Sequence, residues 1–341
     1  MRIDAFTHFY PARYYRRMEE VGAGLKDMFR RARVIPSIHD LDTRLGVIAQ
    51  FPDYAQILSL PMPTLETVSK GDPRIALELA QIGNDGLAEL VAKHPRQFPA
   101  FVAQAPLSAA DAGAEEVVRA ITKLGAVGAQ IFSNVGGKPL DSPQYEPFFA
   151  AISALDKPIW LHPARGAEHP DYLGENQSLY EIWWTFGWPY ETSVAMARLV
   201  FSKILDRYAN LKIIAHHLGA MVPYFEGRVG PGWDQLGKRT TDRDYFALLK
   251  SLKKRPLDYF KQDFYADSAV FGSRAATVCG LDFYGADKVV FASDCPFDPE
   301  GGPGYIRATI DILDSLAIAK ADRDKIYCGN IERLTGRTFR N

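Results

Sequence analysis

Short apolar runs recur along the chain, and each is followed by a stretch in which apolar positions fall three or four residues apart. The runs are Ile3–Phe6, Ala55–Ser59, Phe101–Ala105, Val127–Phe132, Ile159–His162, Ile213–His216, Phe264–Asp267 and Val289–Asp294. They are nearly continuous in hydrophobicity rather than alternating, the pattern of parallel strands covered on both faces. The fifth is preceded by Pro158, at the first strand position, where a missing N–H does not interrupt the ladder.

The intervening stretches read as helices. From Asp111 to Leu124 the apolar positions Val117, Val118, Ile121 and Leu124 share one face, and Gly125 supplies the stop. Ser142-Pro143 predicts an N-cap with proline in the first turn, ahead of Tyr145, Phe148, Phe149, Ile152 and Leu155. A further helical pattern, Ile306, Ile310, Leu313 and Leu316, follows the glycine-rich Gly301-Gly302-Pro303-Gly304. Eight strands alternating with helices predict a closed (β/α)8 TIM barrel more than an open sheet, and no linker splits residues 1–341, so one domain is expected. Two βα segments exceed what a barrel needs. Residues 9–50 carry a helical insertion with a basic patch from Lys26 to Arg33. Residues 164–200 hold the aromatic cluster Trp183, Trp184, Phe186, Trp188 and Tyr190, which suits a substrate wall, a lid or a subunit contact equally well. Such long segments belong at the C-terminal face of a barrel, where active sites are built.

Composition narrows the partners. With 47% hydrophobic and 24% charged residues the chain reads as globular and not disordered. Forty basic and 41 acidic residues leave a formal charge of −1, which gives no electrostatic footprint for nucleic acid or an anionic membrane. No run approaches the ~18 apolar residues of a membrane-spanning helix. Asp4 falls where a signal peptide would need its apolar core. Cys279, Cys295 and Cys328 lack metal-ligand spacing and read as reduced thiols, so a cytoplasmic protein is expected.

Chemistry is suggested by what closes the strands. His8 lies two residues past the first run, His162 closes the fifth, His216 and His217 close the sixth, and Asp294 closes the eighth. In a barrel these ends converge on one mouth, and imidazole with carboxylate is the donor set of a divalent zinc, manganese or iron site. His39, His94 and His169 lie in helical or loop context and read as surface residues. Arg165, three residues beyond His162, is a candidate clamp for a substrate carboxylate, because a guanidinium fork matches a carboxylate bidentately.

The order of these residues resembles the amidohydrolase superfamily. The strings Trp160-Leu161-His162-Pro163, His216-His217-Leu218-Gly219-Ala220-Met221-Val222-Pro223 and Ala292-Ser293-Asp294-Cys295-Pro296 resemble its aminocarboxymuconate-semialdehyde decarboxylase-like branch, and Gly329-Asn330-Ile331-Glu332-Arg333-Leu334 is similar to that branch's C-terminal helix start. The resemblance spans essentially the whole chain. It implies one divalent metal held by His8, His162 and Asp294, with zinc as first choice and manganese or iron as alternatives. It further implies that His217 activates metal-bound water and that Arg228 reaches a substrate carboxylate across a dimer interface; an ion pair is the competing role for Arg228. His216 is given no role and is left to the barrel wall. One departure stands out: the first strand of the family carries His-x-His or Glu-x-His, whereas here the string is Phe6-Thr7-His8, and phenylalanine cannot coordinate a metal.

The expected activity is nonoxidative decarboxylation of an aromatic or conjugated carboxylic acid, with His217 or Asp294 carrying the proton, in a homodimer or higher homo-oligomer. Two alternatives stay open: metal-dependent hydrolysis of a C–C, lactone or ester bond, and a non-catalytic subunit whose metal site lacks the ligand at Phe6.

Overall fold

The computed structural model describes residues 1–241 and 243–339. Eight strand segments form a barrel: β1 (Arg2–His8), β2 (Tyr54–Ser59), β3 in two pieces (Ala100–Phe101 and Ala103–Gln104), β4 (Ala129–Phe132), β5 (Ile159–His162), β6 (Ile213–Ala215), β7 (Phe264–Asp267) and β8 (Val289–Val290). Every neighbouring pair is parallel, with Ile3 beside Ala55, Ala129 beside Ile159 and Ala215 beside Ala266. At the break in β3, the Val102 amide donates to Leu58 O at 2.8 Å and the Ala103 amide to Gly128 O at 2.9 Å, so one strand serves both neighbours. Closure comes at the other seam, where Ala5 N donates to Phe291 O at 2.8 Å and His8 N to Cys295 O at 2.9 Å.

The eighth run is regular only over Val289–Val290, shorter than its apolar pattern predicts, because beyond it the chain turns inward: Asp294 adopts φ +61°. Likewise β6 stops at Ala215, and His216 opens a short turn. Between strands, the helix Ala110–Leu124 ends on Gly125 at φ +80°, the left-handed stop that the sequence predicts. Ser142 precedes a 3-10 turn, Pro143–Tyr145, and the helix Glu146–Ala154, but its hydroxyl makes no capping bond; the proline alone sets that start. Pro303–Ser315 follows Gly302, whose φ of +144° excludes a side chain.

Most apolar burial falls in two shells, with a smaller group of Met62, Phe132, Ala164, Trp183 and Trp188 at the mouth. One cluster lies between strands and helices, with Leu58, Phe101, Ile131 and Leu161 against Leu79, Val117, Phe148 and Leu199. The other gathers Ile3, Ala5, Ile57, Val102, Trp160 and Ile214 with Ile331 and Leu334 of the C-terminal helix, and Trp160 Nε1 donates to Ala5 O at 2.8 Å. Each fully buried Leu, Ile, Val or Phe among them contributes about 1.5–3 kcal/mol. This stiff double shell fixes the strand ends. The insertion of residues 9–50 supplies the helices Ala12–Val21, Met28–Arg33 and Leu41–Ile48, and residues 164–200 supply Ile182–Thr185 and Gly187–Phe201. Among the described residues, no helix is long and apolar enough to cross a membrane. Cys279 is partly exposed, Cys295 and Cys328 are buried, and none of the three is joined in a disulfide.

Candidate metal centre

Four side chains from four strand ends meet at one point. His8, His162, His216 and Asp294 are all buried, and one ligand atom from each lies within 4.8 Å of the others. His8 Nε2 is 3.0 Å and His216 Nε2 3.4 Å from Asp294 Oδ1. Each imidazole is held by its other nitrogen: Nδ1 of His8 meets Ser59 Oγ at 3.1 Å, Nδ1 of His162 meets Pro163 O at 2.7 Å, and Nδ1 of His216 contacts Asp267 Oδ2. Anchoring Nδ1 sets the tautomer and aims Nε2 inward, as metal-ligating histidines require. Nε2 of His8 and of His216 and Oδ1 of Asp294 are buried without a hydrogen-bond partner. Orphaned polar atoms facing one another are costly unless a cation completes them. The donor set therefore fits one divalent ion.

Electrostatics agree with the geometry. Burial drives His8 below its ordinary value and His162 well below it, so both favour the neutral imidazole that a metal needs. Burial acts in the same sense on His216, but the carboxylates of Asp267 and Asp294 outweigh it and hold the ring up at about 9. Burial would raise Asp294, yet the surrounding His216, His217 and His8 keep it well below the usual carboxylate range. A dication would take the place of the proton that this group otherwise attracts.

His216 is the residue that sequence reasoning misplaced. It does not point into the barrel wall; it is fully buried beside Phe6, with ring centroids 4.1 Å apart. A signal for this was present in Asp267, which closes the seventh run: with Ala215 beside Ala266 in register, His216 and Asp267 emerge as neighbours. His217 sits one step nearer the mouth, its Nε2 3.7 Å from Asp294 Oδ2 and its side chain 9% exposed. It reaches there through a left-handed backbone (φ +56°), followed by Leu218 at +57°, and its amide donates to Asp267 Oδ1 at 3.1 Å. Burial, then the neighbouring His216, lowers His217 from its ordinary value. Non-glycine residues in this region are strained, and such strain persists where the surroundings over-determine the conformation.

Over this floor lies a cavity of about 380 Å³, lined by Asp294, Trp183, Trp184, Trp188, Phe271 and Tyr305 among others, within the range of small-molecule sites. His217 lines an adjoining hollow that shares Trp184, Trp188 and Phe271. The aromatic cluster is thus divided: Trp183 and Trp188 are buried in the wall, while Phe186 (71%) and Tyr190 (54%) face outward. Arg31, from the basic patch, also lines the cavity, and its guanidinium donates to Phe297 O at 3.0 Å. Arg165 does not line it. It is paired with Glu191 at 2.9 Å and faces a neighbouring cavity. Arg228 is exposed, its guanidinium 5.9 Å from the Phe225 ring centre. His39, His94 and His169 are partly buried, apart from the cluster; His39 stacks on Tyr15 and His169 lies 3.3 Å from Glu168.

Comparison with known proteins agrees with this architecture. A gamma-resorcylate decarboxylase of Rhizobium sp. is 35% identical over 309 residues, 86% of either chain. A 2-amino-3-carboxymuconate-6-semialdehyde decarboxylase of Dictyostelium discoideum is 27% identical over 314 residues, 87% of this chain and 82% of its own. The crystal structure of a dihydroxybenzoic acid decarboxylase from Polaromonas sp., with bound manganese and the inhibitor 2-nitroresorcinol, superposes with a TM-score of 0.78 at 28% identity, covering 98% of this chain and 96% of that one. Residues 3–337 match the Amidohydrolase family. A (β/α)8 barrel with a buried histidine–aspartate cluster at its mouth, matched over nearly its full length, makes this chain a member of the amidohydrolase family, in the branch that holds these decarboxylases.

Proposed function

We propose that this protein, with residues 1–341 as one catalytic unit, is a metal-dependent nonoxidative decarboxylase of an aromatic carboxylic acid. The observation that carries this reading is the convergence of buried, outwardly anchored imidazoles with Asp294 beneath an aromatic-walled cavity. His8, His162 and Asp294 would hold the ion, which would supply electrophilic binding of substrate oxygens and a lowered pKa for water. Zinc and manganese both suit this donor set; manganese is the ion in the Polaromonas relative.

The chain's own groups account for the remaining steps. Trp184, Trp188 and Phe271 bury the faces of a planar ring. Loss of CO₂ leaves the C–C bonding pair on the ring carbon, and a proton drawn from solvent and relayed by His217 or Asp294, at the junction of floor and mouth, forms the new C–H bond there. Arg31 is assigned the contact with a charged substrate group, because it lines the cavity that contains Asp294, whereas Arg165 is engaged by Glu191. Arg228, exposed on its own subunit, would serve only from a second copy, so this reading includes a homodimer. Three cysteines outside any disulfide fit a reducing cytoplasm.

The deciding experiment incubates metal-loaded protein with hydroxybenzoates and muconate-type acids and measures CO₂. Stoichiometric CO₂ with loss of the carboxylate is expected. Hydrolysis of a lactone or vinylogous ketone without CO₂ would move the protein to the hydrolases, and absence of both metal and turnover after reconstitution would make it a non-catalytic subunit.

A further inference from the structure

We infer that His216 is a fourth protein ligand of the metal in this chain, taking the coordination position that Phe6 denies to β1. The inference rests on the metal site proposed above and concerns its ligand set. Phe6 is fully buried, and its ring centre lies 5.3 Å from that of His8, 5.7 Å from His162 and 4.1 Å from His216. A hydrocarbon ring therefore fills the space in which a first-strand donor would stand. Without another donor, the ion would keep two imidazoles and one carboxylate.

His216 meets each geometric requirement of the missing ligand. Its Nε2 is buried and unpartnered, and it lies 3.4 Å from Asp294 Oδ1, the atom that His8 Nε2 approaches to 3.0 Å. Two donors each ~2.1 Å from one ion, at octahedral or tetrahedral angles, stand about 3.0–3.4 Å apart. The Asp267 carboxylate on Nδ1 orients the ring and raises its basicity, and Phe6 packs its face. His217 has no such anchor on its ring: Asp267 binds its backbone amide, which leaves the imidazole to face the mouth. The two adjacent histidines thus divide the work, one holding the ion and the other moving the proton. Four protein ligands also favour an ion of higher coordination number. Four protein donors would complete the set that zinc usually takes, so manganese, which accepts more donors, would suit this site better.

The test counts imidazoles on Mn(II) bound to the intact protein by pulsed electron paramagnetic resonance. Three coordinated imidazole nitrogens are expected; two would overturn the inference while leaving the metal site in place. In parallel, Mn(II) dissociation constants are measured for wild type, His216→Asn and Phe6→His/His216→Asn, with folding checked by circular dichroism. His216→Asn is expected to weaken binding at least 100-fold, and adding Phe6→His to recover at least 10-fold. His216→Asn that binds Mn(II) within threefold of wild type would assign this ring to proton transfer instead. A wild-type protein that binds no divalent ion at all would overturn the metal site and this inference together.

Discussion

The floor of the site and its mouth are built from different kinds of structure. The floor consists of strand ends: His8, His162, His216 and Asp294 are buried, each held through a second contact on a parallel barrel whose register leaves one arrangement. The mouth consists of long βα segments, whose side chains range from buried Trp188 to Phe186 at 71% exposure. Strand ends are positioned by the core, so they can hold unpaired polar atoms at fixed separations. Loops cover what the floor exposes and set which molecule fits. The chemistry is therefore expected to be sensitive to single floor substitutions, and substrate choice to respond to mouth substitutions.

The largest effect should come from removing the floor's charge. His162→Ala combined with Asp294→Ala is expected to abolish stoichiometric metal and reduce CO₂ release to background; metal content by elemental analysis checks it, and retained metal would place the ligands elsewhere. His217→Asn should separate the two regions, keeping metal while lowering kcat by roughly 10²–10⁴, the usual worth of a positioned acid–base group. Unchanged turnover would remove His217 from proton transfer.

Mouth substitutions should act on KM. Arg31→Ala is expected to raise KM about 10- to 100-fold for an anionic substrate, since a hydrogen bond to a charged group contributes about 1.5–3 kcal/mol. Arg165→Ala, which breaks only the pair with Glu191, should change KM less. If Arg165→Ala proves the more damaging of the two, the carboxylate sits in the neighbouring cavity.

The smallest effect concerns stability. Beneath the floor, burial pushes the Asp4 carboxyl up to about 7, against hydrogen bonds from Ser293 and Tyr54. Its folded value exceeds its unfolded value of about 3.9, so the folded state binds the extra proton between those limits. Its contribution is fully present below the unfolded value and declines as pH rises through the folded one. Asp4→Asn should flatten the fall in stability between pH 4 and 7, measured by urea unfolding, and an unchanged slope would assign that fall to other groups.

The pattern of apolar runs was sufficient to place the eight strands, because parallel strands covered on both faces leave an unbroken apolar signature, although the equally apolar stretch from Pro147 to Ile152 folds as helix. Glycine at Gly125 marked a helix end for an equally local reason: a left-handed residue needs no tertiary partner to be recognised. Strand-end histidines were legible as a group, since any barrel brings such ends together. Their division of labour was not. Which of His216 and His217 turns inward depends on the strand stopping at Ala215, on left-handed dihedrals at His217 and Leu218, and on the Asp267 carboxylate from the next strand. Neither was Arg31 distinguishable from the other basic residues of its patch, nor Arg165 from a free clamp, until Glu191 and the cavity wall were in place. Periodicity records whether a position faces the core, a property of each residue with its near neighbours. Partnership among polar groups is settled by atoms hundreds of residues apart, and only the closed barrel sets those distances.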